Sequence, residues 1–361
     1  MDLAALPQKF IDFLAANDID PRIYTITDLP RFIRFDENEI SASEVEHQLQ
    51  AHIEKVEGVD GFWRLDGRVK IVGCQAYKDG KIFGMDISSA IAVYALEPTP
   101  DSHILDICCA PGAKLCMLAS LVGTSGEGTI TGVDISAHRA ATCRSLLKKH
   151  RSSRARIFVA DGTTFDVHAP ALKSGVSRKQ REREESKEAL VKPFYAPKLI
   201  RNDPQLKGRL YDRVLVDAEC THDGSLVHIW KYTSCREGWD FDAFERQVLD
   251  PLRIDSIQQL QKNLLANGWR LLKPGGILVY STCSLSKVQN ECVIAWFLSN
   301  HRESARLEPV HCGSIVPSPP KLTPEFPDID LSAVRRFDPL ISNTSGFFVA
   351  RIRKLAADPA L

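Results

Sequence analysis

The chain has 361 residues, 44% of them hydrophobic and 25% charged, a composition that excludes collagen-like, wholly disordered and disulfide-scaffold classes. At about 150 residues per domain the length fits two domains, or one larger α/β domain with an appendage. Lysine plus arginine equals aspartate plus glutamate at 46 each, so net charge neither indicates nor excludes a nucleic-acid partner, and the distribution has to decide.

The opening segment MDLAALPQKFIDFLAANDID has neither the basic start of a secretory signal nor the Arg/Ser-rich character of a transit peptide. The longest apolar runs, at 91–96 and 277–280, fall far short of the roughly 20 residues that span a bilayer. A protein of the cytosol or nucleus is expected, without a membrane. The ten cysteines form no CxxC pair and no Cys/His spacing typical of zinc. Free thiols and no metal site are expected.

Residues 1 to about 60 are acidic, which makes them a poor phosphate-binding surface as a whole. LPQKFIDFLAAN spaces Phe10, Phe13 and Leu14 as on a helix, RFIRF reads as a strand, and Val45, Leu49 and Ile53 recur at i, i+4, i+8 on a second helix. Strand signals follow at 61–65 and 68–73. Helix, strand, helix and strands predict a small α+β module over residues 1–83. From residue 84 strands alternate with helices: strands at 103–109, 129–135, 156–161, 213–218 and 276–281, helices at 114–122, 137–150, 255–272 and 287–300, and a closing strand in GFFVARIRK. This is the pattern of a doubly wound, mostly parallel α/β sheet over 84–361, with ligands expected beyond the C-terminal strand ends. The charged, proline-containing stretch 173–209 interrupts the rhythm and reads as a solvated, mobile surface insertion, with an RNA-backbone arm as the alternative.

Chemistry-bearing residues gather at those strand ends. His103-Ile-Leu-Asp-Ile-Cys-Cys-Ala-Pro-Gly-Ala-Lys114 is an apolar strand, a tight small-residue turn and a helix start, where backbone N–H groups can approach a ligand. It is neither GxGxxG nor GxxxxGK[ST], which argues against nicotinamide and nucleoside triphosphate ligands. Asp134 in Gly132-Val-Asp134 suits a ribose diol, and Asp161 in Ala160-Asp161-Gly162 lies at the same edge. Taken singly, each acid also serves as a helix cap or turn residue. Repeated at successive strand ends, they favour an adenosyl ligand, specifically S-adenosylmethionine. The fourth and fifth strands end in VDAEC with Cys220 and YSTCS with Cys283. One such cysteine alone reads as a buried thiol, whereas two at neighbouring strand ends read as reagents.

The ordered set GMDISS, LDICCAPGAK for LDxCAAPGGK, GVD, DG, VDAEC for VDAPC, YSTCS and GFFVARIRK strongly resembles the Fmu/Sun-type (NOL/NOP/Sun) RNA cytosine-5 methyltransferases across most of residues 84–354. The resemblance implies a Rossmann-like fold, S-adenosylmethionine as cofactor, RNA as partner (tRNA first by family prevalence, rRNA second) and, with Pro30-Arg-Phe-Ile-Arg34, an RNA-recognition-motif-like N-terminal module. It also implies a covalent route. Cytosine C5 is a weak nucleophile until a thiolate adds to C6, which divides one difficult step into easier ones.

By that resemblance Cys283 attacks C6 and Cys220 assists proton removal or product release, the DNA-type alternative reversing the two. Asp217 supports the reacting site, and Lys114 sits beside cofactor and target nucleotide, where an ammonium helps lower a cysteine pKa. Cys108, Cys109, Ala110, Pro111, Gly112, Ala113 and Lys114 form the cofactor loop, joined by Asp134, Asp161 and Asp217. Asp86 matches a family position without an assigned role. The chain departs from the pattern at Glu219, where the family has proline, at Thr221-His222 in place of Ser-Gly, at Cys109, Ala113 and Leu115 in the loop, and at Ser345, where aspartate usually precedes GFF. A Cys–His hydrolase reading of Cys220 and His222 has no oxyanion-site pattern behind it. A methyltransferase of exocyclic amines would carry [DN]PP[YF], which is missing. The contrasting class is an RNA-binding or assembly protein on the same fold with weak or lost catalysis. A monomer is expected, since no further apolar patch is evident.

Overall fold

Two sheets organise the computed structural model, which describes residues 6–170, 191–201, 209–233 and 240–356. Much of 173–209, and with it the expected mobile insertion, lies outside the described residues. After helix α1 (Gln8–Ala16), strand β1 (Arg31–Phe35), helix α2 (Ala42–Leu49), strands β2 (Glu54–Lys55) and β3 (Phe62–Leu65), helix α3 (Gln75–Lys78) and strand β4 (Ile82–Gly84) form a β–α–β–β–α–β unit. Its strands pair antiparallel in the order β2-β3-β1-β4. Strand alternation divides the apolar residues between the faces. Ile33, Phe35, Trp63 and Leu65 pack with Val45 of α2, while Phe32 and Phe62 turn the other way and join the core of the large sheet.

The strand expected at 68–73 does not form. The Asp66 carboxylate accepts from Arg68 N at 2.8 Å and its carbonyl from Val69 N at 3.1 Å. This local capture turns the chain, and Ile71–Gly73 follows as a short 3₁₀ turn.

Helix α4 (Ile87–Tyr94) leads into the second sheet: β5 (His103–Ile107), α5 (Ala113–Val122), β6 (Thr129–Asp134), α6 (Ala137–Lys149), β7 (Ala155–Val159), β8 (Tyr211–Asp217), the short helix α7 (Leu226–Trp230), α8 (Pro251–Leu271), β9 (Leu272–Thr282) and α9 (Glu291–Asn300). Strands β10 (Ala305–Glu308), β11 (Arg335–Phe337) and β12 (Phe347–Lys354) close the chain. The spatial order is β10-β12-β9-β8-β5-β6-β7, with β5 to β9 parallel and β12 antiparallel to β9. Buried strands alternate between two apolar layers. Leu215, Ile277 and Val279 face α4 and α5, whereas Val214, Val216, Leu278 and Tyr280 face α8 and α9. Because β5 sits between β6 and β8, crossovers leave it in opposite directions and a crevice opens at its C-terminal end. Among the described residues no helix is long and apolar enough to cross a membrane.

Residues 6–24 are not part of the small sheet's core. Phe10, Leu14, Ile23 and Tyr24 pack on Leu226, Ile229, Phe244 and Val248 of the large unit. Phe10 meets Phe244 edge-on at 4.9 Å between centroids, and Tyr24 donates its hydroxyl to the Asp223 carbonyl at 3.0 Å. The apolar stripe of α1 announced a buried face but not the surface that buries it. Phe10→Ala should therefore lower the unfolding free energy by about 3 kcal/mol or more in urea titration, as expected for a large buried ring; a loss below about 1 kcal/mol would mean that α1 is not docked.

Candidate active site

Parallel pairing of β8 with β9 sets Asp217 opposite Ser281, so the loops that follow both strands emerge side by side. Three backbone bonds hold them together: Ala218 N to Ser281 O at 3.0 Å, Gly224 N to Cys283 O at 3.0 Å and Gly346 N to Gly224 O at 2.9 Å. Gly224 is needed for this approach, since a Cβ there would lie 2.7 Å from the Cys283 carbonyl oxygen. Buried Asp223 ties the loops a second time, accepting from the hydroxyls of Thr221 and Ser284 and from Leu285 N. Gln289 exchanges two further bonds with Thr221, at 3.0 and 2.9 Å.

Within this frame the two cysteine sulfurs stand 3.4 Å apart. His222 Nδ1 lies 2.9 Å from Cys283 Sγ and 3.6 Å from Cys220 Sγ. The ring reaches them because His222 takes a left-handed backbone, φ +57°, that folds the loop back on its own cysteine. On its far side Nε2 faces Glu219 Oε1 at 3.6 Å, and Glu219 is approached by Arg253 at 3.8 Å and Arg139 at 3.9 Å. Cys220 is fully buried, while Cys283 and His222 line a cavity of about 290 Å³.

The charges follow from these contacts. The hydrogen bond from Cys220, joined by the charge of His222, outweighs burial and brings the Cys283 thiol down to about 6. Burial opposes charge on His222, but the Cys283 thiolate and Glu219 raise it to about 10. Cys220 moves the other way, pushed up by burial and by the neighbouring thiolate. His228, its ring 4.7 Å from that of His222, is held neutral by burial and by the adjacent positive charge, down to about 4.

Lys114 Nζ donates to Asp217 Oδ2 at 2.9 Å, the other Asp217 oxygen accepts from Ser281 Oγ at 2.7 Å, and the ammonium lies over the Phe347 ring at 5.0 Å. Burial works against the Lys114 charge and Asp217 outweighs it, so the ammonium is retained. Cys108, Ala110, Pro111, Lys114 and Asp217 line the cavity. Cys109 does not: it points between the helices into the core, where Cys143 Sγ approaches its carbonyl at 3.8 Å. Gly112 starts α5 at φ +107° with its Cα hydrogens against Cys143, leaving 3.0 Å for a Cβ. Ala113 packs on that same core. Asp134 accepts from Ala110 N at 3.2 Å and Ser136 N at 2.9 Å, and exposed Asp161 accepts from Thr163 N and its hydroxyl, each at 2.8 Å. Asp86 caps α4 through Ser88 and accepts from Ser345 N at 3.2 Å, which gives the unassigned GMDISS acid a structural task.

Two features escaped the sequence reading. Asp106 is fully buried in β5 and neither oxygen has a hydrogen-bond partner among the described residues; burial and then Asp217 push its pKa well up. A lone acid in the otherwise apolar strand HILDI was the available signal. The second is the Glu219–His222 pair, two departures from the family pattern that meet in space.

Cys283 combines a lowered pKa with access to the cavity, whereas Cys143, also lowered through its bond to Cys109, is sealed in the core. Limiting iodoacetamide at pH 7 should therefore modify Cys283 ahead of every other described cysteine, as read by peptide mass mapping; first modification at Cys108 or Cys292 would contradict this charge arrangement.

The chain is 26% identical over 309 residues to the Ribosomal RNA small subunit methyltransferase F of Salmonella paratyphi C, covering 84% of this chain and 51% of the relative. The Escherichia coli O9:H4 protein of that name is 25% identical over 307 residues with the same coverages. The chain thus spans about half the length of these relatives. Among solved structures, a methyltransferase homolog protein from Pyrococcus horikoshii has a TM-score of 0.65 at 24% identity, covering 97% of this chain and 100% of that one. The structure of NSun6 from Pyrococcus horikoshii with SFG has a TM-score of 0.66 at 16% identity, with coverages of 99% and 100%. Both share the α/β methyltransferase fold. A family model, 16S rRNA methyltransferase RsmB/F, matches residues 93–174 and 198–353. The resemblance read from the ordered motifs is borne out, and the chain belongs to the RsmB/F family of Sun-type RNA methyltransferases.

Proposed function

We propose that this protein is an S-adenosylmethionine-dependent RNA (cytosine-5)-methyltransferase that works through a covalent Cys283–C6 adduct. The observation that carries the reading is the pair of strand-end thiols, 3.4 Å apart, with opposite protonation. The residues present suit the cofactor. The unpartnered, buried Asp106 carboxyl group, kept neutral by burial until a cation reaches it, matches an ammonium donor such as the cofactor's amino group, and Asp134, pinned by two backbone N–H groups at the end of β6, matches a ribose diol. Residues 108 and 110–112 supply the close backbone approach, and Asp161 lies further along the same edge. Cys109 and Ala113 act from behind, as packing for that loop. S-adenosylmethionine, when bound, supplies the electrophilic methyl group that C5 receives.

The chain's own groups do the rest. The Cys283 thiolate forms the S–C6 bond while the C5=C6 electron pair moves onto C5. Once C5 is methylated its hydrogen leaves as a proton, the C5=C6 bond re-forms and the S–C6 pair returns to sulfur. Cys220 assists that proton removal or the expulsion of sulfur. Bonding of Cys283 to carbon removes the thiolate whose charge suppresses ionisation of Cys220. The Lys114–Asp217 pair fixes a carboxylate and an ammonium where the base's polar edge is read. A cytosine must leave its stack to present C6 to the thiolate.

A cleft of about 510 Å³ supports entry of a strand from the N-terminal side. It is lined by Arg31, Arg68 and Trp230 and shares Asp86 and Ser345 with the catalytic cavity. We read the β–α–β–β–α–β unit as the RNA-recognition-motif-like module expected from residues 1–83. Its Phe32 and Phe62 face is buried, so RNA meets the rim rather than the open sheet. The relatives are named for ribosomal RNA, which supports an rRNA target ahead of the tRNA expected from family prevalence, and the described free thiols suit a reducing cytoplasm.

Labelled methyl transfer to unmodified RNA, followed by nucleoside analysis, tests this. Label should appear in 5-methylcytidine, fall at least about 1,000-fold in Cys283→Ala as for loss of a covalent nucleophile, and give way to RNA-linked protein in Cys220→Ala. Label in another nucleoside would overturn the chemistry, and RNA binding with no label in the folded wild type would favour the assembly-protein class.

A further inference from the structure

Glu219 and His222 depart together from the family pattern around Cys220, and in space they form one chain with Cys283: carboxylate to Nε2 at 3.6 Å, Nδ1 to thiol sulfur at 2.9 Å. We propose that His222 is a further catalytic residue, which takes the Cys283 thiol proton on Nδ1 and keeps the sulfur anionic for attack on C6, with Glu219 as the positioning residue that holds the imidazolium. The proposal rests on the cytosine chemistry argued above.

The step balances within the protein. The S–H bond of Cys283 breaks with its electron pair left on sulfur, and the proton forms an N–H bond with Nδ1. The sulfur pair then makes the S–C6 bond while the imidazolium remains protonated, and on expulsion it faces the returning thiolate. A histidine beside a cysteine is a recognised way to raise the thiolate fraction at neutral pH, and a carboxylate on the far ring nitrogen fixes the tautomer and orientation.

The surroundings select the histidine. Cys220 donates to the same sulfur but stays protonated, so it stabilises a thiolate without removing the proton. Asp217, from the end of β8, opposes the thiolate, and its partner Lys114, from α5, offsets it. His222 itself does most to keep Glu219 ionised against burial, and Arg139 from α6 and Arg253 from α8, which face the carboxylate, add to it. His228 from α7, whose own charge is suppressed, packs against the His222 ring without competing for the proton. The Glu219 carbonyl accepts from Gln261 Nε2 at 2.8 Å, so its backbone is held independently of its side-chain charge.

The left-handed backbone of His222 makes the test clean. Asparagine and glycine both tolerate φ +57°, so His222→Asn and His222→Gly remove the ring and keep the turn. The rate of Cys283 alkylation by iodoacetamide is followed from pH 5 to 10 with a chelator present, in wild type, both His222 variants and Glu219→Gln. Wild type should be half-maximal near pH 6, where the Cys220 hydrogen bond and the His222 charge place the Cys283 thiol. His222→Asn should move the midpoint up by at least about one unit, which lowers the thiolate fraction at pH 7 from about nine-tenths to about one-half or less and slows the reaction there at least about twofold, with no loss at pH 10. Glu219→Gln should give a smaller upward move, because a weaker imidazolium still faces the sulfur. Added imidazole should restore part of the neutral-pH rate in His222→Gly. An unchanged midpoint in His222→Asn with its urea midpoint intact would overturn the proposal and leave Cys220 as the group that stabilises the thiolate. The readout needs neither RNA nor cofactor. A wild type that alkylates as expected but transfers no methyl therefore indicts the functional reading, whereas methyl transfer with an unmoved His222→Asn profile indicts only the histidine.

Discussion

Everything at this site depends on two parallel strands ending in register. The β8–β9 pairing places Asp217 beside Ser281, and the chain then has only a few residues in which to turn. The loops after both strands are consequently locked to each other by Gly224, Asp223 and Gln289, and the sulfurs meet at 3.4 Å. Cys220 alone would be a buried, unreactive cysteine. Held together in low dielectric the two thiols cannot both ionise, so one proton is shared out unequally. Burial assigns the neutral state to Cys220, and its hydrogen bond, joined by the charge of His222, assigns the anion to Cys283.

That inequality sits within a wider balance of charge. Asp106, Asp134, Asp217 and Glu219 bring a ring of acids to the C-terminal edge of the sheet, and Lys114, Arg139 and His222 answer them from the helices and loops. Asp106 alone has no answering donor among the described residues. A buried acid without a partner costs free energy to maintain, and such a cost persists where a ligand repays it.

Much of this was legible beforehand, for identifiable reasons. Strand alternation with helices located five parallel strands to within a few residues, because strands buried on both faces read as continuous apolar runs. The two cysteines could be paired from the sequence, since adjacent parallel strands bring equivalent ends together. Contacts set by a single backbone dihedral were not legible: His222 reaches Cys283 only through its left-handed φ, and the spacing Cys-Thr-His gives no sign of that turn. The docking of α1 on Leu226, Ile229, Phe244 and Val248 was equally hidden, because an apolar stripe specifies burial and not the partner. The false strand at 68–73 had the right residue types, but Asp66 satisfied the local N–H groups first. Cys109 and Cys108 are neighbours in a loop where one side chain lines the cavity and the other the core, a division that motif matching alone does not make.

The claim that the account stands on is that Cys283, not Cys220, bonds to the base. RNA carrying 5-fluorocytosine at the target position decides it, since fluorine at C5 blocks the loss that would release sulfur and the adduct persists for peptide mapping. Incubation of the wild-type protein with that RNA and S-adenosylmethionine should give a nucleotide attached to the peptide containing Cys283. Attachment at Cys220 would contradict the account, reverse the roles of the two thiols and leave the thiolate at Cys283 without a purpose.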